Sequence, residues 1–127
     1  MSVYTPRTVP LEQLTPGERF ELQRRRADMT QAEFAALLGV ALNRVRRWEA
    51  GLSRRGLPDV HVGQLKAWEW CWLQRRRSGR TLADLSQVLG LSIQWIHRAE
   101  RGELIPAESS VLVDYWLAQR ELEAARS

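Results

Sequence analysis

Residues 30–51 read TQAEFAALLGVALNRVRRWEAG, and the punctuation of this stretch decides how the chain folds. Thr30-x-x-Glu33 is a capping box, in which the threonine hydroxyl accepts from the amide three residues on and the glutamate reaches back. It predicts a helix over about 31–38 that buries Phe34, Leu37 and Leu38. Gly39 ends that helix, supplying the positive φ of a left-handed cap. A further helix over about 42–50 closes at Gly51, with Val45 and Trp48 inward and Asn43, Arg44, Arg46 and Arg47 outward. Upstream, a helix from near Gly17 to about Ala27 brings Phe20 and Leu22 to the core. Downstream, Leu52–Gly56 (LSRRG) forms a basic loop before Pro58.

The same plan recurs 51 residues later. LQRRRADMTQAEFAALLGVALNRVRRWEAG (22–51) and LQRRRSGRTLADLSQVLGLSIQWIHRAERG (73–102) align without a gap and agree at 12 of 30 positions. These are both LQRRR runs, Thr30/Thr81, Ala32/Ala83, Leu38/Leu89, Gly39/Gly90, Arg47/Arg98, Glu49/Glu100 and Gly51/Gly102. Composition alone produces about two or three such matches, so the pattern is a duplication. In the second copy Thr81-x-x-Asp84 is a weaker cap, followed by apolar Leu85, Leu89 and Ile96.

An all-α fold of two lobes follows. Residues 1–16, with Pro6, Pro10 and Pro16, are expected to form a loose arm packing through Val9, Leu11 and Leu14. Residues 17–63 make the first lobe and residues 64–127 the second. Residues 64–78 (QLKAWEWCWLQRRRS) lack Gly and Pro and predict one continuous helix. Leu65, Trp68 and Trp72 share one of its faces, and Trp70 and Leu73 lie on another. A helix apolar on two faces needs cover on two sides, so the lobes are expected to share it. A last helix over about 107–125 presents Val111, Leu112, Tyr115, Trp116 and Leu122, more than a narrow stripe, which suits internal packing or a dimer surface.

Composition narrows the function classes. The 127 residues are 44% hydrophobic, enough for a core, and contain no 18-residue apolar run. The start MSVYTPRTVP lacks a signal-peptide pattern, so a cytoplasmic protein is expected. A single cysteine, Cys71, excludes an internal disulfide and reads as a small buried residue. His61 and His97 have no partners at metal-ligand spacing, so neither metal nor cofactor is expected. Paired carboxylates and an activated nucleophile are also missing, which argues against an enzyme. The tryptophans read as core, with Trp95 the exception.

The net charge is +4, and 18 of the 19 basic residues are arginine. A GC-rich genome would also favour arginine, but it would not cluster the charge. Residues 17–57 carry +4, residues 65–102 carry +4, and residues 103–127 carry −3. Arginine's planar fork suits phosphate and guanine edges. The runs 24–26 and 75–77 end helices, where they suit either phosphate contact or a solvated face near the negative helix terminus.

Over TQAEFAALLGVALNRVRRWEAG the chain resembles the Cro and phage-repressor helix-turn-helix family, the lambda-repressor-like fold. Thr30, Gln31, Phe34, Ala35, Gly39, Val40, Val45, Trp48, Glu49 and Gly51 carry the match. Ala41 departs from it, since Ser or Thr normally caps the recognition helix. The resemblance implies an operator-binding protein of duplex DNA, with phosphates met by Thr30 and Gln31. Base-reading positions map to Asn43, Arg44, Arg46 and Arg47. Arg24, Arg54 and Arg55 are expected to join the phosphate contacts.

The second copy is less faithful: Leu82 stands for Gln31, Ser86 for Ala35 and Ala99 for Trp48. Ser92 restores the cap. Its candidate readers are Gln94 and His97, with Arg98 at phosphate. Exposed Ile93 and Trp95 suit a protein interface or thymine methyl groups. The expected function is a small repressor, controlled by its own concentration, of a phage, plasmid or mobile-element operon. A homodimer would form through the second lobe or the C-terminal helix. The alternative is a protein-interaction module, such as an antitoxin or phage-encoded inhibitor using the same face against a protein.

Overall fold

Short polar side chains set most of the helix starts. In the computed structural model, which describes residues 8–126, Thr15, Thr30 and Thr81 each accept from the amide three residues on, at 3.2, 3.1 and 3.0 Å. Their own amides donate back to Glu18, Glu33 and Asp84. These boxes open α1 (Pro16–Arg26), α2 (Gln31–Leu38) and α5 (Leu82–Leu89). Ser92 accepts from the Trp95 amide and opens α6 (Ile93–Glu100). By contrast α3 (Leu42–Glu49) has Ala41 at the cap position and no side-chain bond there. With α4 (Ala67–Ser78) and α7 (Pro106–Arg126) there are seven helices and no strand among the described residues. The first seven residues of the expected arm, Pro6 included, lie outside them.

The Glu33 and Asp84 carboxyls are held below their ordinary values, chiefly by the hydrogen bond from the threonine amide and then by the threonine hydroxyl. A lowered folded-state value means the cap contributes fully at neutral pH. That contribution fades as pH falls through the folded value.

The described residues divide into two compact units, residues 11–64 and residues 65–126 with residues 8–10. The first lobe holds α1–α3 around Phe20, Phe34, Ala35, Val45, Trp48 and Val60. Phe20 meets Phe34 and Trp48 edge-on at 5.2 and 5.3 Å, the arrangement that ring quadrupoles favour. Leu37 and Leu38, expected inside, are 65% and 39% exposed. Phe34 and Ala35 fill the inward face of this eight-residue helix. Leu37 points about a third of a turn away from them, and Leu38 ends the helix where the Gly39 turn leaves it partly uncovered. Leu11 is likewise exposed.

Gly17 lets α1 lie directly on the end of α3. A Cβ there would stand 2.4 Å from the Trp48 carbonyl oxygen, and backbone cannot rotate away as a side chain can. Gly17→Ala is therefore expected to cost about 1–3 kcal/mol, as overpacking does elsewhere. Thermal unfolding is the check, and an unchanged midpoint would mean that α1 can lift off α3.

The second lobe centres on Trp70, Cys71, Leu85, Ile96, Ala99, Leu112, Val113 and Trp116, with Val9 packed against them. Helix α4 starts at Ala67, three residues later than expected, because Glu69 Oε1 takes the Lys66 amide at 2.9 Å. At the 51-residue offset, Glu69 corresponds to Glu18, and both are buried. The same offset pairs Trp68 with Gly17, Cys71 with Phe20 and Ala99 with Trp48. Large and small residues thus trade places between the lobes at these positions, an exchange that folds tolerate when total volume is kept. The Trp68 ring lies against Gly102, where a Cβ would come within 2.6 Å of the indole. Burial, and then the charge of Glu100, push the Cys71 thiol far above its ordinary range, so it is a packing residue. Along α7, Leu112 and Trp116 are buried, whereas Val111 and Leu122 are 42% and 52% exposed.

Candidate nucleic-acid interface

Two arginines of the repeated LQRRR runs are engaged inside their own lobes. Arg24 Nε donates to Glu49 Oε2 at 2.8 Å and its Nη2 to Oε1 at 3.0 Å, while Nη1 donates to the Met29 carbonyl at 2.9 Å. Arg75 does the same with Glu100 and with the Arg80 carbonyl. The glutamates are nearly fully buried, with side-chain exposures of 5% and 2%. Each clamp joins the end of the lobe's first helix to the end of its third and to the loop between the first two. Arg24, expected at phosphate, therefore has all three nitrogens occupied within the lobe.

Gln31 extends the first clamp. Its Nε2 donates to Glu49 Oε1 at 3.0 Å, so the residue at the amino end of α2 is oriented from below by a buried carboxylate. Leu82 in the second lobe packs on the core and has no amide to do this. Thr30 is exposed at the same helix terminus, its hydroxyl taken by the Glu33 amide.

The arginines that follow are different. Arg44, Arg46 and Arg47 on α3, and Arg54 and Arg55 on the loop after it, are exposed. None has a side-chain hydrogen bond or ion pair among the described residues. Asn43 is exposed beside them. Val45, Trp48 and Glu49 point inward, as helical spacing requires, leaving the opposite face polar and cationic.

The loop is held from the core. Trp48 Nε1 donates to the Arg55 carbonyl at 3.0 Å, so a buried ring fixes the backbone that carries Arg54 and Arg55. Gly56 follows at φ 76°, where a Cβ would stand 3.7 Å from the Trp48 ring and 3.8 Å from Arg44 Nη1. Between α3 and this loop lies a notch of about 320 Å³ lined by Ala41, Asn43, Arg44, Arg47, Ser53 and Arg55. Four of the expected contact residues are brought together there. Arg46 and Arg54 lie outside its lining, and Gln31 is turned to Glu49.

The corresponding face of the second lobe is weaker in charge. Gln94 and His97 are exposed on α6, but Arg98 stands 3.8 Å from Glu103, which also lies 3.6 Å from Arg101. Ile93 is 47% exposed. Trp95, expected to stand out, is half-buried and packs against the core.

Three features escaped the sequence reading. The Arg–Glu clamp was available as two residues shared by both copies, each pair 25 positions apart. Glu18 and Glu69 were available at the 51-residue offset of the two runs. The Trp48 bond to a loop carbonyl carries no sequence signal, because any residue type supplies that acceptor.

Residues 21–62 match the helix-turn-helix family model, a span of 42 of the 127 residues running from α1 to the segment after the Arg54/Arg55 loop. The fold is all-helical, with a helix-turn-helix domain in the first lobe, the kind of domain found in DNA-binding transcription regulators. Neither a curated protein nor a solved structure matches the chain. No helix among the described residues is long and apolar enough to cross a membrane, and no group of three His, Cys, Asp or Glu side chains there is placed to hold a metal ion.

Proposed function

We propose that this chain is a sequence-specific regulator of transcription that binds operator DNA through its first lobe and represses by occupying a promoter, as an autorepressor in a phage, plasmid or mobile-element operon. The observation that carries the reading is the set of five arginines on α3 and its loop with no partner among the described residues. Arg24 to Arg26, at the end of α1, all have partners within the protein. A cationic helix face beside an oriented α2 terminus suits the major groove and its flanking phosphates. Asn43 and Arg44 read bases, with Arg46 and Arg47 nearby on the same helix. Arg54, Arg55 and Gln31 meet the backbone. Arg24 acts through Glu49 and Gln31 instead of touching phosphate.

The second lobe is a divergent copy of the first, as the repeated clamp, caps and glycine turn support. Its charge-compensated face and exposed Ile93 favour a protein contact over base reading by Gln94, His97 and Arg98. That contact would make the homodimer expected for a two-fold operator.

Titrating the protein against its own upstream DNA and against random duplex, at several salt concentrations, tests the reading. Specific binding should be about 10³-fold or more tighter than random, with a steep salt slope. Asn43→Ala should reduce the preference, whereas Arg54→Ala should weaken both DNAs alike and lower the slope by about one unit. Equal affinity for the two duplexes would leave the protein-interaction reading in its place.

A further inference from the structure

We propose that the notch beside α3 is a seat for a free diphosphate-type anion, and that such an anion competes there with DNA. The seat is a property of the folded first lobe, whereas the competition rests on the regulator reading. Three arginines, Arg44, Arg47 and Arg55, line one open space of about 320 Å³ with no acidic residue among its walls. None of the three has a partner among the described residues, so their charges go uncompensated. That volume is at the small end of ligand pockets, which run from about 300 Å³ upward. Asn43 and Ser53 add neutral groups to the same wall.

Two further observations point to an anion. Ala41 lines the notch and leaves the amino end of α3 without a side-chain cap, whereas Ser92 occupies that position on α6 and bonds the Trp95 amide. The Arg44 amide, the counterpart of the Trp95 amide, is taken by the Ala41 carbonyl at 3.0 Å, and the helix start presents the positive end of the dipole to the notch without a side chain in front of it. The backbone that carries Arg55 is also fixed in advance, because the Trp48 indole holds the Arg55 carbonyl. A preorganised site loses less on binding than one that must be ordered.

The ligand class follows from the number of forks. A phosphodiester of DNA carries one charge and two free oxygens, which one or two guanidiniums satisfy. A diphosphate offers more oxygens and more charge, so all three arginines can make charge-assisted bonds at once. It would therefore use the notch more completely than DNA does.

The test is calorimetric titration of sodium pyrophosphate into the full chain without DNA, with ionic strength held constant by sodium chloride. Saturable one-to-one binding is expected. Arg55→Ala should weaken it about tenfold or more, the loss of a hydrogen bond to a charged group. Arg46→Ala removes the same charge from the same helix outside the notch and should leave binding nearly unchanged. No saturable heat, or equal losses in the two variants, would overturn the seat. In a second arm, pyrophosphate should displace bound duplex DNA more effectively than sodium sulfate at matched ionic strength, and co-binding without displacement would overturn the competition. Pyrophosphate binding by a chain that ignores DNA would uphold the seat and remove the regulator reading, while the converse would remove the seat alone.

Discussion

Arg24→Met should destabilise the first lobe by about 3–5 kcal/mol, the cost of leaving a buried charge without its partner. Glu49 is the reason. Its side chain is 5% exposed and has Arg24 on both oxygens, with Gln31 on one of them. Removing the guanidinium leaves a carboxylate that water reaches poorly. The double variant Arg24→Met with Glu49→Leu should recover much of the loss, since two apolar groups leave no orphaned charge. Urea denaturation followed by tryptophan fluorescence measures both. Arg75→Met should behave alike in the second lobe, where Glu100 is 2% exposed. DNA binding provides the discriminating readout, taken where the Arg24 variant is still folded. Its salt slope should stay that of the parent. Unchanged stability together with a slope lowered by about one unit would return Arg24 to the phosphate contacts.

Trp48 should show two separable losses. Trp48→Ala empties the space beneath Phe20 and is expected to cost about 3–5 kcal/mol, as large-to-small core changes do. Trp48→Phe keeps an aromatic ring but deletes the N–H that holds the Arg55 carbonyl at 3.0 Å. That change should cost about 1 kcal/mol from the hydrogen bond alone, plus a partial cavity term. Its larger effect should be on binding, because Arg54 and Arg55 then ride on a loop no longer tied to the core. Weaker DNA binding with a lower salt slope is expected from a Trp48→Phe protein that is fully folded by circular dichroism. A Phe variant that binds DNA as the parent does would show that the loop position owes nothing to the indole.

Local chemistry made the element order legible. Thr30-x-x-Glu33 and Gly39 bounded α2 to the residue, and Thr81-x-x-Asp84 with Gly90 bounded α5. Thr15-Pro16-Gly17-Glu18 carries the same signal for α1, so the expected arm over residues 1–16 overlaps a helix cap. Burial was less legible. Helical spacing placed Val45 and Trp48 correctly, but it could not say that Leu37 and Leu38 lie beyond the edge of a small core. Nor could it show that Trp95 folds back onto the second lobe.

The repeat illustrates where each level of description ends. The caps, turns and apolar spacing common to residues 22–51 and 73–102 were legible in sequence alone, because such signals act over three or four residues and are written in consecutive letters. Sequence also located the cationic helix and loop. Which arginines are available to a partner was decided only in three dimensions. Arg24 and Arg47 are both repeated in the second copy and look alike on the page. One meets a buried carboxylate 25 residues away, and the other meets nothing among the described residues. An ion pair depends on distance through space and on exclusion of water, and neither quantity exists until the helices pack.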